Sequence, residues 1–336
     1  MKIVIEANIP YIKGLLEPFG EVQYLAANEI TNETVKDADA LFIRTRTKCN
    51  ASLLDNTKVK FIATATIGID HIDSEYCHKN GIAFFNAPGC NAPAVAQYVF
   101  ATIGKFLQCH PRDIKDLTFA VVGVGNVGKI IARWGKLLGM KVLQCDPPRA
   151  RKEGDAEFVT LKEVAEQADI ITFHTPLNKE GMDKTVHLAD VDFFNSLKHC
   201  DLLINSSRGC VVDNTALNEY LKHSDMSVAI DCWENEPNIN LELLKTVFVA
   251  TPHIAGYSAE GKQRATAMAL EAFEKFYGVE VAGKPQVDAP FHGAEISNLQ
   301  QVIDSYDPTE DTEKLKANPE NFESFRNHYN LRAEVR

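Results

Sequence analysis

Thr118-Phe119-Ala120-Val121-Val122-Gly123-Val124-Gly125-Asn126-Val127-Gly128 is the stretch that decides the fold. A short apolar run predicts a strand over 118–122. The glycine pattern G-x-G-x-x-G follows at once, and residues 127–138 then read as a helix. The first two glycines permit a tight turn and close backbone approach to a pyrophosphate. The third lets helix and strand pack closely, and the helix N-terminus faces the phosphates. Gly123, Gly125, Asn126, Val127 and Gly128 are therefore expected to seat a dinucleotide. Asp146 follows Gly128 by 18 residues (146 − 128), at the end of a strand expected over 141–145. A carboxylate there accepts hydrogen bonds from a ribose and repels a 2′-phosphate, which favours NAD over NADP. Arg149, three residues on, softens that preference.

Outward from this loop the chain alternates strands and helices. Towards the C-terminus, strands are expected over 170–174, 202–205, 228–231 and 247–250, with helices over 161–167, 192–197 and 215–223. Towards the N-terminus, strands are expected over 3–6, 41–44, 61–64 and 83–85, with helices over 11–19, 52–56, 73–80 and 92–109. The apolar runs are short and nearly continuous, as in parallel sheets covered on both faces. The pattern is α/β, with two doubly wound parallel-sheet domains. Because the glycine loop sits mid-chain, a Rossmann NAD-binding domain (96–254) is inserted into a flavodoxin-like substrate domain (1–95 and 255–284). Helices over 92–109 and 259–277 make the connections. A short C-terminal appendage (285–336) follows, polar and acidic over 305–321. In it, a helix over 321–331 would place Phe322, Phe325 and Tyr329 on one face.

Composition narrows the class. The chain has 336 residues, 45% apolar and 24% charged, with a formal net charge of −11. That acidic balance argues against general nucleic-acid binding, whose partners need Lys and Arg. No apolar stretch reaches the roughly 18 residues that span a bilayer, and Met1–Glu6 reads as a strand rather than a signal peptide. Eight cysteines, at 49, 77, 90, 109, 145, 200, 210 and 232, show no Cys-x-x-Cys or zinc spacing. They are expected to be free thiols in a reducing cytoplasm, with no metal site. His71 has Asp neighbours, and a helix-start role with Asp caps is the expectation for that stretch.

Three motifs after the glycine loop carry chemistry: Asn205-Ser206-Ser207-Arg208-Gly209, Asp231-Cys232-Trp233-Glu234-Asn235-Glu236-Pro237 and Thr251-Pro252-His253-Ile254-Ala255-Gly256. Each follows a strand, where open α/β sheets bind ligands. Arg208 can grip a carboxylate with two parallel hydrogen bonds and polarise the adjacent oxygen. His253 can exchange a proton with a hydroxyl. Glu236 can fix the ring tautomer and favour the imidazolium, and Glu234 is the alternative orienter. Asp231 can face a nicotinamide ring. Thr175, after the strand over 170–174, can contact the cofactor ribose.

The order of the glycine loop, Asn-x-x-Arg-Gly, Asp-x-x-x-x-Glu-Pro and Pro-His-Ile-Ala-Gly resembles the D-isomer-specific 2-hydroxyacid dehydrogenases. Thr64–His71, Ala87–Ala92, Cys145–Arg149 and Thr172–Leu177 resemble, more narrowly, the branch that oxidises 4-phospho-D-erythronate with NAD in pyridoxal 5′-phosphate biosynthesis. The resemblance covers residues 1 to about 280. It implies Arg208, Glu236 and His253 as catalytic, and Asp146, Thr175, Asp231 and Gly256 as NAD contacts. It implies Thr45, Thr66 and Tyr257 as substrate contacts, in a homodimer. Position 45 is Thr where the family typically has Ser, and the C-terminal region is shorter than the family's dimerisation domain.

Arg44, Arg46 and Lys48 fit a phosphorylated substrate independently, since alternation on an extended segment places all three on one side. The competing readings are a dehydrogenase of 3-phosphoglycerate, glycerate or glyoxylate, or an NAD-sensing binding protein resembling the C-terminal binding protein corepressors. The latter can keep all three catalytic residues.

Overall fold

The computed structural model describes residues 1–286 and 295–335. Residues 287–294 of the C-terminal segment, and Arg336, lie outside the described residues. The chain forms two compact units, one of Met1–Asn91 with 258–286, the other of Ala92–Tyr257 with 295–335.

The first unit is built on five parallel strands: β1 (Lys2–Glu6), β2 (Glu21–Leu25), β3 (Ala40–Ile43), β4 (Phe61–Thr64) and β5 (Ala83–Phe85). They are ordered β2-β1-β3-β4-β5, the flavodoxin-like arrangement with its switch point between β1 and β3. The middle strands β3 and β4 are buried along their whole length, which explains their unbroken apolar runs. The returning helix Ala259–Tyr277 covers one face, where the Phe273 ring lies 5.7 Å from Phe42 and 5.8 Å from Phe61. Ser258 caps that helix by accepting from the Gly261 N–H. Two expectations fail here. Residues 11–19 form turns with a single 3-10 turn at Glu17–Phe19, because Tyr11 adopts φ +60° and Pro18 interrupts the pattern. The edge strand β2 was not expected, since its side chains are only half buried and no apolar run marks it.

The second unit holds six parallel strands: β6 (Thr118–Val122), β7 (Lys141–Cys145), β8 (Ile170–Phe173), β9 (Leu202–Asn205), β10 (Ser227–Ile230) and β11 (Val249–Ala250). Their order is β11-β10-β9-β8-β6-β7. The order reverses between β6 and β8, so the crevice at their carboxyl ends is the ligand position of such a sheet. Two apolar clusters cover the two faces, one around helix Ala92–Cys109 and Trp134, the other around Phe173, Phe193 and Phe194. A helix at Pro147–Glu153 and another at Leu241–Thr246 were not expected.

The C-terminal segment belongs to this unit. It carries helices Leu299–Ser305, Pro308–Ala317 and Phe322–Asn327, the last shorter than the expected 321–331. Val302 and Tyr306 join one core cluster, Leu315 and Phe322 the other. Thr312 Oγ1 accepts from the Ala250 N–H at 3.0 Å, satisfying the edge of β11. Arg332 donates to Gln97 Oε1, to Tyr329 Oη and to the carbonyls of Ala94, Ile254, Ala255 and Tyr257. Among the described residues no helix is long and apolar enough to cross a membrane, and all eight cysteines are free.

Candidate active site

The dinucleotide seat takes its shape from backbone. Gly123 adopts φ +88°, and a Cβ there would lie 2.7 Å from the His174 carbonyl carbon. A Cβ on Gly128 would lie 2.1 Å from Gly123 O, so the helix Asn126–Leu137 approaches its strand as closely as only glycine allows. At Gly125 a Cβ would meet nothing within 4 Å, which leaves open space above the turn. Thr175 Oγ1 and Ser206 Oγ are buried without a hydrogen-bond partner. Buried hydroxyls are ordinarily paired, so both suit a ligand rich in hydroxyl and phosphate oxygens. The residues present therefore fit NAD.

Asp146 caps the helix Pro147–Glu153 by accepting from Arg149 N at 3.1 Å, and its other oxygen accepts from Val124 N at 2.8 Å. Each carboxylate oxygen keeps a lone pair for a ribose hydroxyl. Arg149 is paired with Glu153 at 2.6 Å and donates to Val124 O at 2.9 Å. Its charge is thereby neutralised, which weakens it as a 2′-phosphate ligand.

Three loops at the carboxyl ends of β9, β10 and β11 hold the candidate catalytic groups. Asn205 organises the first. Its Oδ1 accepts from Ser207 N and Oγ, and its Nδ2 donates to Arg208 O and Cys232 O. Arg208 donates to Ser207 O at 2.8 Å. At Gly209 a Cβ would lie 1.9 Å from Trp233 O, so the Arg208 loop rests directly on the backbone that leads to Glu236.

Glu236 Oε2 lies 2.8 Å from His253 Nδ1, and Glu236 Oε1 accepts from Trp233 N at 2.7 Å. With Nδ1 protonated toward the carboxylate, Nε2 is the nitrogen left to exchange protons. Glu234 faces elsewhere, with Oε1 2.7 Å from His187 Nε2 and Oε2 accepting from Asn214 N. Glu236 is thus the orienter. His253 itself sits at φ +57°, a left-handed backbone that costs a non-glycine residue about 1–3 kcal/mol. Asp231 holds it there: buried, its Oδ1 accepts from Thr251 Oγ1, Ile254 N and Ala255 N at 2.7, 2.7 and 3.0 Å. Its Oδ2 lies 3.8 Å from Cys232 Sγ. The Thr251 hydroxyl, its one hydrogen given to Asp231, accepts from Tyr98 Oη at 3.0 Å, and the Thr251 carbonyl accepts from Trp233 Nε1.

Burial would lower the pKa of His253, but the Glu236 carboxylate against the ring lifts it well above the ordinary imidazole value. Burial also pushes the Cys232 thiol up, so Cys232 stays protonated and Glu236 supplies the charge. For Glu236, burial pushes upward, while His253, the Trp233 N–H and Arg326 hold the carboxyl below its usual range. Burial raises Asp231 despite its donors. His174, bonded to Thr172, is kept neutral by burial, its pKa lowered to about 3.

Tyr257 and Gly256 follow on the His253 loop, and the Tyr257 hydroxyl accepts from Arg326 Nε at 3.3 Å. The first unit carries the remaining candidates by itself. Arg44 Nη1 donates to Asn8 O, and its backbone N–H donates to Glu6 Oε2. Arg44 to Thr47 form a turn closed by Thr47 N to Arg44 O at 3.2 Å. The extended alternation expected for Arg44, Arg46 and Lys48 is therefore absent, although Thr45, Arg46 and Lys48 are exposed. Thr66 Oγ1 lies 2.6 Å from Thr64 Oγ1, which lies 3.1 Å from His71 Nε2. Burial lowers the His71 pKa to about 4, and Asp73 caps the helix Ser74–Lys79. Asn205, Ser206, Thr251 and Arg326 were not singled out from sequence. Asn205 and Thr251 lie inside the motifs, whereas nothing local marks Arg326.

A family model described as the NAD-binding domain of D-isomer-specific 2-hydroxyacid dehydrogenases matches residues 97–255. The chain is 47% identical over 339 residues to an erythronate-4-phosphate dehydrogenase of Bacteroides thetaiotaomicron, covering 99% of this chain and 97% of that protein. It is also 47% identical over 281 residues to the enzyme of that name from Escherichia coli, covering 83% of this chain and 74% of that one. The shorter C-terminal region expected from sequence thus applies against Escherichia coli and not against Bacteroides. Among solved structures, D-lactate dehydrogenase from Aquifex aeolicus, complexed with NAD and lactic acid, is 25% identical. Its TM-score is 0.69 over 83% of this chain and 96% of that chain. A 3-phosphoglycerate dehydrogenase of Entamoeba histolytica shares the fold at 24% identity and TM-score 0.70, over 85% of this chain and 98% of that one.

Proposed function

We propose a reaction on one premise: the chain belongs to the D-isomer-specific 2-hydroxyacid dehydrogenases, and within them to the erythronate-4-phosphate dehydrogenases. It is an NAD-dependent oxidoreductase. The reaction is oxidation of 4-phospho-D-erythronate at C2 to 3-hydroxy-2-oxo-4-phosphooxybutanoate, a step of pyridoxal 5′-phosphate biosynthesis. The observation that carries the chemistry is the 2.8 Å pair of His253 and Glu236 beside a nucleotide seat.

Neutral His253 accepts the C2-hydroxyl proton at Nε2, and Glu236 stabilises the imidazolium that results. Arg208 grips the C1 carboxylate and polarises the C2 oxygen. When bound, NAD supplies the acceptor for the hydride that leaves C2. Gly123, Gly125, Asn126, Val127, Gly128, Asp146, Thr175, Asp231 and Gly256 are assigned to that cofactor. Arg44, Thr45, Arg46, Thr66 and Tyr257 are assigned to substrate. Residues 96–254 serve as the NAD-binding domain and 1–95 with 255–284 as the substrate domain, while 285–336 form an appendage. A cytoplasmic homodimer completes the reading. Free cysteines fit a reducing compartment, and light scattering of the purified protein measures the dimer.

The test is NADH fluorescence on mixing protein and NAD with 4-phospho-D-erythronate, D-3-phosphoglycerate or D-glycerate. Turnover of the first, well above the others, is expected. Faster turnover of unphosphorylated glycerate would discard the substrate while keeping the family.

A further inference from the structure

Two arginines of the C-terminal segment make opposite use of their donors. Arg332 is saturated by four backbone carbonyls, Gln97 and the Tyr329 hydroxyl, and serves as a clamp. Arg326, six residues earlier (332 − 326), has a side chain only 17% exposed. Among the described residues its guanidinium makes one hydrogen bond, from Nε to Tyr257 Oη at 3.3 Å. Two carboxylates stand at the limit of ion pairing, Glu236 Oε2 and Glu323 Oε1, each 4.0 Å from Nη1. A guanidinium carries five N–H donors. Taken out of water it needs short, charge-assisted bonds of about 2.7–2.9 Å. Those bonds are missing beside the one carboxylate that orients His253.

The geometry points to Arg326 as a substrate ligand that holds the phosphate of the substrate and sets the preference for phosphorylated over unphosphorylated 2-hydroxy acids. This rests on the reaction proposed above. The hydroxyl bonded to Arg326 is that of Tyr257, itself assigned to substrate, so the guanidinium borders the substrate position. Arg208 is committed to the C1 carboxylate, so the second anion falls to other cations, and Arg326 joins Arg44 and Arg46, already assigned to substrate. A phosphate ester offers several oxygens to the idle N–H groups and the charge that a buried guanidinium requires.

The test compares 4-phospho-D-erythronate with D-erythronate on wild type, Arg326→Gln and Arg326→Lys. The ratio of the two kcat/KM values is expected to fall by roughly 10- to 100-fold in Arg326→Gln, and by less in Arg326→Lys. Binding of both acids to the NADH-loaded protein, followed by nicotinamide fluorescence, gives the same ratio where turnover of D-erythronate is slow. Equal losses on both acids, with a moved acid limb of the pH profile, would overturn the assignment in favour of a role through Glu236. An unmoved ratio in a folded Arg326→Gln also overturns it. Wild type that ignores 4-phospho-D-erythronate would instead bring down the substrate itself, an outcome visible before any variant is made.

Discussion

Glu236 holds His253 Nδ1 at 2.8 Å, which leaves Nε2 for the proposed proton transfer. Replacing His253 by Asn should lower kcat by about 10²–10⁴-fold and leave NAD binding, read by fluorescence titration, close to wild type. Turnover near wild type would remove His253 as the acid/base. The pH dependence follows from the raised pKa of the ring. Oxidation uses neutral His253, so its kcat/KM should rise with pH through a value well above the ordinary imidazole range, and the reverse reaction should fall over the same interval. In Glu236→Gln the negative neighbour is gone and burial dominates, so the acid limb should move to lower pH while activity drops. A limb that stays in place would assign that titration to another group. Asp146 caps the helix Pro147–Glu153, and the proposed reading gives it the ribose as a second job. Asp146→Ala should relax the NAD over NADP preference, measured as a kcat/KM ratio, and cost about 1 kcal/mol of stability through the lost cap. Asp146→Asn should keep most of the cap and still relax the preference. These residues were legible because each ends a strand within a short motif. Arg326 was not, because its meaning depends on Glu236 and Tyr257, far from it in sequence.

Between elements, the Arg208 and Glu236 loops meet at Gly209, where a methyl group would lie 1.9 Å from Trp233 O. Gly209→Ala should destabilise by about 1–3 kcal/mol or more and depress kcat, as read by denaturant midpoint and initial rates. An unaltered midpoint would mean that this contact gives way easily. At the sheet edge, Thr312→Val removes the acceptor of the buried Ala250 N–H and should cost about 1–3 kcal/mol. Strand and helix identities in the second unit were readable because mostly apolar runs of four residues are buried end to end. The run over 11–19 misled because its apolar residues are spaced like a helix while Tyr11 and Pro18 prevent one. The helix Pro308–Ala317 was missed for the opposite reason: Leu315 is its single large apolar anchor.

At the scale of the molecule, the C-terminal segment is structural as well as local to the site, since Leu315 and Phe322 are fully buried in the nucleotide unit. A chain ending at residue 286 should bind a hydrophobic dye and melt well below wild type, whereas an unchanged melting temperature would show that the segment packs without consequence. Arg326 apart, every group assigned to chemistry in the six-stranded unit follows a strand's carboxyl end. The amino ends carry other work, as where Asp169 accepts from Thr118 N and pairs, with Asp201, to Arg112. Cys109, which closes the helix leading to that side, is the single exposed thiol among the eight. A maleimide dye or a surface tether attached there would therefore immobilise or label the enzyme on the side away from its reagents.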